Sequence, residues 1–405
     1  MHVIVIGAGV TGVTTAWYLA QAGHQVTVLE RRADVGLETS FANGGQISVS
    51  HPEPWANPGA PWQILRSLGR EDAPIRFRPR ADWAQWRWAM AFLGQCWPSR
   101  TQANTAAIAR LAAFSLQCLQ ELRERLDLEY DQETRGILHL FFSQKDLAKG
   151  HRNAEILAQF DIPTRMLDAE ECVALEPALA HIGPRLVGGM QGVSDESGDA
   201  HKFTAALARH CGDAGVAFQF NTRVEEIDIY GSAAKGVVLR DSKGRVGVLK
   251  ADRIVVCTGA ETPRLSARWG QCLSIYPVKG YSLTVPIADP ERAPKVSLTD
   301  EHRRIVCSRL GNRLRIAGTA ELNGYDLKAN PRRSAALLEW LEGTLPGAGK
   351  LECSEAWCGL RPATPSNRPI MGPSSITNLY LNSGHGTLGW TLCCGSAATV
   401  VGNIF

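Results

Sequence analysis

Residues 2–31, HVIVIGAGVTGVTTAWYLAQAGHQVTVLER, decide the fold class of this 405-residue chain. A short run of β-branched residues, 3–6, leads directly into the spaced glycines Gly7, Gly9 and Gly12. A helical pattern follows, and a second β-branched run occupies residues 25–29. Strand, glycine turn, helix and strand in this order predict the first βαβ unit of a dinucleotide-binding fold.

Each glycine of the turn has a physical task in such a unit. Gly7 allows the tight turn, Gly9 lets the backbone approach a pyrophosphate, and Gly12 lets the helix pack closely on the strand. The free N–H groups and positive dipole end of the helix attract the phosphates. Glu30, after the second strand, is placed to accept hydrogen bonds from a ribose 2′-hydroxyl, and it would repel a 2′-phosphate. The nucleotide is therefore predicted to be NAD or FAD, and the start of the unit at residue 2 favours FAD.

The overall composition narrows the classes of function. The formal net charge of +3 is small, and no run of Lys or Arg stands out, so we expect no binding to nucleic acid. None of the eleven cysteines forms a Cys-x-x-Cys pair, so we predict neither a metal site nor a disulfide framework. This cysteine usage favours a reducing compartment, and we expect a cytoplasmic protein without a signal peptide.

The C-terminal stretch 369–405 contains no Lys, Arg, Asp or Glu, but prolines, asparagines and glycines interrupt it. No run of about 20 apolar residues remains, so a transmembrane helix is not predicted. We predict a buried strand, a glycine loop and a helix in this stretch, and we expect the natural chain to continue beyond Phe405.

The middle of the chain predicts a second architecture. Alternating patterns between residues 273 and 320 indicate an antiparallel sheet inserted between parts of the nucleotide-binding domain. We therefore predict a mixed α/β fold with a Rossmann-like FAD-binding domain and an inserted antiparallel-sheet substrate domain. The predicted FAD-binding domain comprises residues 1–80, 150–270 and 350–405, and the substrate-binding domain comprises 81–149 and 271–349. A crevice between two such domains is a usual place for a substrate.

Residues 82–97, DWAQWRWAMAFLGQCW, contain four tryptophans at helical spacing. One interpretation is a helix that packs on the core. The other is a patch that contacts a membrane surface or a quinone, because tryptophan favours membrane interfaces. Both interpretations are open at the level of the sequence.

Five further stretches carry a more specific signal. They are ETSFANGGQIS (38–48), DESGDAHKFT (195–204), YPVKGYSLTVPIA (276–288), GLRPATPSNRPIMGP (359–373) and LYLNSGHGTLGWTLCCGSA (379–397). Together, and in this order, they resemble the FAD-dependent D-amino-acid dehydrogenases, a family within the D-amino-acid oxidase and glycine oxidase superfamily.

The resemblance implies non-covalent FAD and oxidative deamination of a D-amino acid to a 2-oxo acid and ammonia, with hydride transfer from Cα to flavin N5. It also implies a quinone or similar electron acceptor, and peripheral contact with the inner face of the cytoplasmic membrane. The cofactor-binding residues expected from the glycine motif and from the resemblance are Gly7, Gly9, Val10, Thr11, Gly12, Glu30, Arg31, Thr39, Ser40, Gly44, Gly45, Gln46, Ile47, Val224, Thr258, Gly259, Gly384, Gly386, Thr387 and Leu388.

The resemblance also implies residues near the substrate. Arg361 corresponds to the family arginine that pairs with the substrate α-carboxylate, a task that suits the two parallel N–H donors of a guanidinium. Arg368, in contrast, is expected to face solvent. His51 occupies a position where close family members tend to have tyrosine, and it is a candidate for contact with substrate. Tyr281 and His385 complete the set of catalytic candidates. Two alternatives stay open for them: Tyr281 can face the sheet instead of the pocket, and His385 can stabilise the flavin loop instead of taking part in the chemistry.

Two alternatives stay open beside this function. The first is an enzyme that oxidises secondary amino acids, such as D-proline, 4-hydroxy-D-proline or sarcosine, because the carboxylate and flavin contacts would be shared. The second is a flavin-binding subunit of an electron-transfer complex without activity of its own. A covalent flavin is not expected, because Gly359 stands where related sarcosine oxidases have the attached cysteine, and Cys358 should point the other way.

Overall fold

The computed structural model describes residues 1–67 and 75–404, and two large β-sheets organise them. The strands are, in chain order, β1 His2–Ile6, β2 Gln25–Leu29, β3 Gln46–Ile47, β4 Ile75–Phe77, β5 Ile137–Phe141, β6 Thr164–Leu167, β7 Gly188–Gly192, β8 Glu196–Ser197, β9 Ala217–Gln219, β10 Arg223–Tyr230, β11 Ala233–Arg240, β12 Val246–Lys250, β13 Arg253–Val256, β14 Tyr276–Pro286, β15 Ser297–Asp300, β16 Ile305–Leu310, β17 Arg313–Leu322, β18 Glu355–Ala363, β19 Ile370–Pro373 and β20 Leu379–Ser383.

The α-helices are α1 Val10–Gln21, α2 Ala60–Ser67, α3 Trp83–Gln95, α4 Pro98–Arg125, α5 Gln144–Ala158, α6 Ala169–Leu175, α7 Ala200–Asp213, α8 Thr262–Ser266, α9 Pro331–Thr344 and α10 Gly389–Ile404. Short 3-10 turns occupy Pro177–Leu179, Gly183–Arg185, Gly259–Glu261, Ala267–Trp269, Leu351–Cys353 and Gly386–Leu388. Among the helices of the described residues, we find none whose length and apolar character would let it cross a bilayer.

The first sheet has the order β19-β20-β13-β1-β2-β9. Neighbours pair in parallel except for β19, which runs antiparallel to β20. Ile6 stands opposite both Leu29 and Val256, so β1, β2 and β13 end at the same edge of the sheet. The glycine turn, Glu30 and Thr258 therefore meet at one place, although they are far apart in the chain.

The strand β1 is buried on both faces, which explains its unbroken apolar run. Val3 and Val5 pack in the cluster that also contains helices α1, α4, α7 and α10, whereas Ile4 and Ile6 pack with the antiparallel sheet β10-β11-β12. All four side chains are almost fully buried, and burial of one such side chain contributes about 1.5–3 kcal/mol. Successive side chains of β1 thus point into two different apolar layers, and the first sheet lies between them.

The second large sheet has the order β18-β14-β17-β16-β15-β5-β7-β6, and β4 pairs with β17. Most pairs are antiparallel, with β15/β5 and β17/β4 as the parallel exceptions among the described strands. Helix α9 covers this sheet through Leu337, Trp340 and Leu341, and Trp340 Nε1 donates to Asp300 Oδ2 at 2.8 Å. The predicted mixed α/β fold, with a nucleotide-binding sheet and a largely antiparallel second sheet, is confirmed.

The strand pairing differs from the predicted boundaries at four strands. Strands β4, β6, β7 and β18 belong to the second sheet, whereas the sequence grouped residues 1–80, 150–270 and 350–405 with the FAD-binding domain. The reason is physical: sheet membership depends on long-range pairing, and the local pattern of a short strand does not encode its partner. The division of the chain into two domains stays a prediction.

The contact between α10 and α4 generates a stability prediction. A Cβ at Gly395 in α10 would lie 2.8 Å from Ser115 Cα in α4, and Gly395 N donates to Ser115 Oγ at 3.0 Å. Gly395→Ala should therefore force the helices apart and lower the free energy of unfolding by about 1–3 kcal/mol. Denaturant unfolding of the purified protein measures the change.

The same helix offers the control. A Cβ at Gly402 meets no atom within 4 Å, so Gly402→Ala should be neutral or should stabilise by up to about 1 kcal/mol through helix propensity. If the two alanine variants were equally stable, close packing at Gly395 would not be what holds α10 against α4.

Candidate active site

A cavity of about 1270 Å³ lies where the two large sheets meet. Its walls come from the carboxyl ends of β1, β2 and β13, from the loop after β2, from strands β14, β17 and β18, and from the loop before α10. Cavities of this size, formed between two sheets, are where cofactors and small substrates bind.

Most of the predicted site residues line this cavity. They are Gly7, Gly9, Val10, Thr11, Glu30, Arg31, Thr39, Ser40, Gly44, Gly45, Gln46, His51, Val224, Thr258, Gly259, Tyr281, Arg361, His385, Gly386, Thr387 and Leu388. Gly12, Ile47 and Gly384 are not among the lining residues of the described cavity. Each of these three packs against protein instead, and the predicted contacts of all the site residues with a ligand stay predictions.

The glycine turn at the start of α1 leaves room for a ligand. A Cβ at Gly12 would overlap the carbonyl oxygen of Gly7, so strand and helix approach as closely as the motif predicts. Gly9 has the opposite surroundings, because the nearest atom to a Cβ there is Ser40 Oγ at 3.6 Å. No side chain caps α1 at Gly9, and Val10 N donates to Ser40 Oγ at 3.1 Å. The remaining N–H groups of the first turn suit an anion.

Glu30 is held in place by the backbone at the end of β2. Its Oε2 accepts from Ala8 N at 2.7 Å, and its Oε1 accepts from Arg32 N at 2.8 Å. A carboxylate oxygen has a second lone pair, so both oxygens can still accept from a ribose hydroxyl. The neighbouring Arg31 lies on the cavity wall and pairs with Glu38 at 2.9 Å.

The loop after β2 approaches the second sheet closely. A Cβ at Gly44 would lie 2.7 Å from Val306 Cγ2, and Gly45 has a φ of +72°, which favours glycine. Gln46 Nε2 donates to Ser297 Oγ at 3.0 Å, which ties the loop to β15. Thr39 is also tied, since its hydroxyl donates to Leu360 O at 2.7 Å.

The glycine loop before α10 adopts left-handed backbone conformations. Gly384 and Gly386 have φ values of +83° and +57°. His385 between them is almost fully buried, and its Nε2 lies 3.0 Å from Ser396 Oγ. Burial lowers the pKa of His385 to about 4, so this imidazole is neutral at physiological pH.

Arg361 lines the cavity from β18 and is partly buried. Nη1 donates to Thr319 O at 2.9 Å, and no Asp or Glu oxygen of the described residues lies within 4.0 Å of the guanidinium. Burial without a partner lowers the pKa of Arg361 to about 10, so it stays charged. Gly280 on β14 makes the space, because a Cβ there would overlap the guanidinium. Arg368 is exposed, as expected.

Thr319 is a site residue that the sequence did not reveal. The pairing of β14 with β17 shifts register here, so that Thr319 and Ala320 stand opposite Gly280 alone, as in a β-bulge. Thr319 has a φ of +58°, which costs a β-branched residue about 1–3 kcal/mol. Its Oγ1 is buried without a hydrogen-bond partner among the described residues, in the wall beside Arg361. In this left-handed conformation the Thr319 carbonyl accepts from the Arg361 guanidinium.

Tyr281 lines the cavity, but its hydroxyl is already engaged. It donates to Glu321 Oε2 at 2.9 Å, and Lys279 Nζ lies 3.1 Å from the same carboxylate. All three side chains are almost fully buried, and burial raises the pKa of Tyr281. This group of Tyr281, Glu321 and Lys279 supports the sheet behind Arg361, and of its members the sequence analysis singled out only Tyr281.

His51 belongs to a polar cluster on the cavity wall. His51 Nδ1 lies 3.9 Å from Glu301 Oε1, and His139 Nδ1 lies 2.8 Å from the same oxygen. His139 Nε2 is 3.3 Å from Ser50 Oγ, which donates in turn to the buried Asp195. Burial lowers the pKa of His51; burial alone would raise that of Glu301, but the two histidines hold it below its usual range.

The pKa of His385 has a consequence for stability. The unfolded chain binds a proton at about pH 6.5, whereas the folded chain resists protonation down to about pH 4. Above pH 6.5 the imidazole is neutral in both states, so His385 does not lower the free energy of unfolding there. As the pH falls from 6.5 toward 4, the unfolded chain binds the proton first, and the free energy of unfolding decreases. Between pH 7.5 and pH 5 the loss should be about 2 kcal/mol.

His385→Gln keeps a donor for Ser396 but cannot titrate, so the difference between its free energy of unfolding and that of the natural protein should shrink toward pH 5. His151→Gln, which changes an exposed histidine, serves as the control and should follow the natural protein. Parallel pH profiles for His385→Gln and the natural protein would contradict the assignment.

Comparison with known proteins identifies the family. A family model described as DAO, FAD dependent oxidoreductase, matches residues 2–402. A protein named D-amino acid dehydrogenase from Dechloromonas aromatica is 51% identical over 400 residues, which cover 99% of this chain and 96% of that protein. One of the same name from Paramagnetospirillum magneticum is 46% identical over 401 residues, which cover 99% and 94%.

Solved structures agree on the fold. Glycine oxidase from Geobacillus kaustophilus superposes with a TM-score of 0.73 at 24% identity and covers 99% of this chain and 93% of its own. L-alpha-glycerophosphate oxidase from Mycoplasma pneumoniae, solved with FAD bound, gives a TM-score of 0.76 at 17% identity and covers 100% and 94%. With the family model matched from residue 2 to residue 402, the chain belongs to the DAO family of FAD-dependent oxidoreductases.

Proposed function

We propose that this chain oxidises D-amino acids to 2-oxo acids and ammonia with FAD and passes the electrons to a quinone-type acceptor. The observation that carries the proposal is Arg361, a charged group with no carboxylate partner among the described residues, in the cavity that the nucleotide-binding turn also lines. The relatives at 51% and 46% identity are named D-amino acid dehydrogenase, which supports the same substrate class.

FAD is the cofactor of the family, and the residues at the nucleotide end of the cavity fit it. The close approach at Gly9, the uncapped start of α1 and the fixed carboxylate of Glu30 suit a pyrophosphate and a ribose. We assign the flavin portion to Gly44, Gly45 and the loop 386–388 on the opposite wall. When bound, FAD accepts the hydride that leaves the substrate Cα.

A non-covalent flavin fits the position of Cys358. Its Sγ donates to Leu327 O at 3.1 Å, and Cys358 is not among the lining residues of the described cavity. Gly359, the next residue, does line it. The alternation along β18 therefore turns the thiol away from the cofactor.

The task of Arg361 is to fix the substrate by its α-carboxylate. A guanidinium can donate two parallel N–H bonds to a carboxylate, which sets both position and orientation. Because the acid would come from the substrate, this partly buried charge is neutralised only when an amino acid binds. Thr319 fixes the guanidinium through its carbonyl, and its free hydroxyl can donate to the same carboxylate. Orientation of this kind accounts for a large part of catalysis in such reactions.

Tyr281 and His385 have supporting tasks in this proposal. The Tyr281 hydroxyl donates to Glu321, and neutral His385 contacts Ser396, so neither group is poised to take the proton that the substrate ammonium must lose. Tyr281 stiffens the strand that carries Gly280, and His385 shapes the loop 384–388. His51, which faces the cavity beside Glu301, is the remaining candidate for contact with the substrate amine or side chain.

A solvent-facing apolar stripe supports contact with a membrane that contains the quinone. Trp83, Trp86, Met90, Leu93 and Trp97 follow at intervals of three or four residues and are 44–75% exposed. The opposite face of α3 buries Gln85, Trp88 and Phe92, so the helix packs on the core and still presents an apolar face. Trp62 and Leu65 of α2 are exposed as well. Tryptophan-rich faces of this kind favour the lipid interface.

The carboxylate assignment is tested with Arg361→Ala. The variant should fold and keep FAD, but its kcat/KM should fall at least about 30-fold, because loss of a buried charge pair costs about 2–5 kcal/mol. The measurement is anaerobic bleaching of the flavin absorbance by a panel of D-amino acids that includes D-proline and 4-hydroxy-D-proline.

Arg368→Ala is the matched control, since it removes an exposed arginine from the same stretch and should bleach at the natural rate. An unchanged kcat/KM in Arg361→Ala would remove the carboxylate assignment. A natural protein whose flavin no amino acid bleaches would instead favour the subunit of an electron-transfer complex.

The membrane surface is tested with the double change Met90→Ser and Leu93→Ser. Binding to vesicles of anionic lipid should weaken at least about tenfold, because burial of one such side chain contributes about 1.5–3 kcal/mol. Val246→Ser with Val248→Ser, a pair of exposed apolar residues on β12, should bind vesicles like the natural protein. Equal binding of both double variants in co-sedimentation would rule out this face.

A further inference from the structure

The cluster of His51, His139 and Glu301 has the composition and spacing of a metal site. Each residue offers one ligand atom, and these atoms lie within 4.8 Å of one another. We propose that His51, His139 and Glu301 bind a divalent transition metal of the zinc class on the wall of the substrate cavity, and that the bound ion inhibits oxidation of the substrate.

The distances require little movement. Glu301 Oε1 lies 2.8 Å from His139 Nδ1 and 3.9 Å from His51 Nδ1. Ligands that share a tetrahedral zinc ion, at about 2.0–2.2 Å each, stand roughly 3–4 Å apart. The rings of His51 and His139 meet edge to face with their centroids 5.5 Å apart, so both imidazoles lie beside the same carboxylate.

The residues behind the cluster orient its buried ligand. His139 Nε2 lies 3.3 Å from Ser50 Oγ, and Ser50 binds Asp195 through both its hydroxyl and its backbone N–H. Gly192 leaves space for this pair, because a Cβ there would overlap the carboxylate of Asp195 and the hydroxyl of Ser50. A histidine whose second nitrogen is held by a hydroxyl and a carboxylate is fixed in ring orientation, as metal-binding histidines are.

The three ligands come from separate and well-supported segments. His139 lies in the middle of β5, opposite Thr299 in the parallel strand β15, and Glu301 follows directly after β15. His51 comes from the loop that follows β3. His51 and Glu301 line the cavity, so an ion has an entry path and an open coordination position for water or a substrate group.

Ligand type and charge define the metal. Two imidazoles and one carboxylate suit Zn²⁺ and related ions, whereas Mg²⁺ prefers oxygen ligands. Arg304 lies on the same wall, and its positive charge would repel a bound cation. The negative charge of Glu301 compensates for this repulsion. An ion held here occupies the space beside the substrate, and inhibition follows from this position. The inhibition rests on the proposed function, but the binding does not.

The test uses the FAD-loaded protein, freed of metal by a chelator and titrated with ZnCl₂ in a calorimeter. His51→Ala and Glu301→Gln should each weaken Zn²⁺ binding at least about tenfold, the range typical of changes in a metal site. The glutamine keeps an acceptor for His139, so the fold is preserved. His151→Ala, which removes an exposed histidine elsewhere, should bind Zn²⁺ like the natural protein. MgCl₂ should give no comparable heat.

Inhibition is read separately. The rate of D-amino-acid oxidation with Zn²⁺ is compared with the metal-free rate of the same protein. Zn²⁺ should slow the natural protein and His151→Ala, and it should slow His51→Ala and Glu301→Gln much less. Absence of Zn²⁺ binding, or equal binding in His51→Ala, would overturn the site. The calorimetric titration measures Zn²⁺ binding and needs no substrate. It therefore tests the metal site even if the proposed oxidation of D-amino acids is wrong.

Discussion

A partly buried positive charge without a carboxylate partner among the described residues is the constraint on which the substrate end of the cavity depends. The guanidinium of Arg361 must stay charged and keep its orientation although burial removes part of its contact with water. Removal of a charge from water costs up to several kcal/mol of folding free energy. The structure answers with geometry: Gly280 gives the guanidinium room, and the bulge at Thr319 turns a carbonyl toward it. Each feature would be a defect elsewhere in a sheet. Together they make sense if a carboxylate arrives from outside.

The two ends of the cavity solve different electrostatic problems. At the nucleotide end, backbone N–H groups and a helix terminus would meet anionic phosphates, because a glycine turn brings dipoles close without side chains. At the substrate end, the proposed function places a full charge opposite a small carboxylate. The parallel pairing of β1 with β2 and β13 fixes the first end, and the antiparallel pairing of β14 with β17 and β18 fixes the second. Their relative position is therefore set by sheet packing.

The sequence predicted what local pattern and chain order encode. The glycine turn, α1, Glu30 and the second β run are local features, and the strand bounds 25–29 agree with β2. The position of Arg361 on the cavity wall agrees with the resemblance of the stretch 359–373, whereas its contact with a substrate carboxylate stays a prediction. Thr319 was not predictable, because a bulge arises from the mismatch of two strands whose pairing the sequence does not state. The cluster of His51, His139 and Glu301 was missed for a similar reason: its members lie in three distant segments, and a search by cysteine spacing does not find them.

The groups that the local pattern did not reveal share a physical property. Thr319 is strained, Arg361 lacks a carboxylate partner among the described residues, and Asp195 is a carboxyl whose pKa burial raises. Folding alone gains nothing from such groups, since an apolar residue in each position would avoid strain or desolvation. Thr319 and Arg361 lie on the cavity wall, and Asp195 is linked through Ser50 and His139 to Glu301 on that wall. The cost of these groups is tolerated only if occupants of the cavity offset it, so stability should rise when the cavity is filled. The same reasoning separates them from Lys279 and Glu321, which compensate each other within the protein and need no ligand.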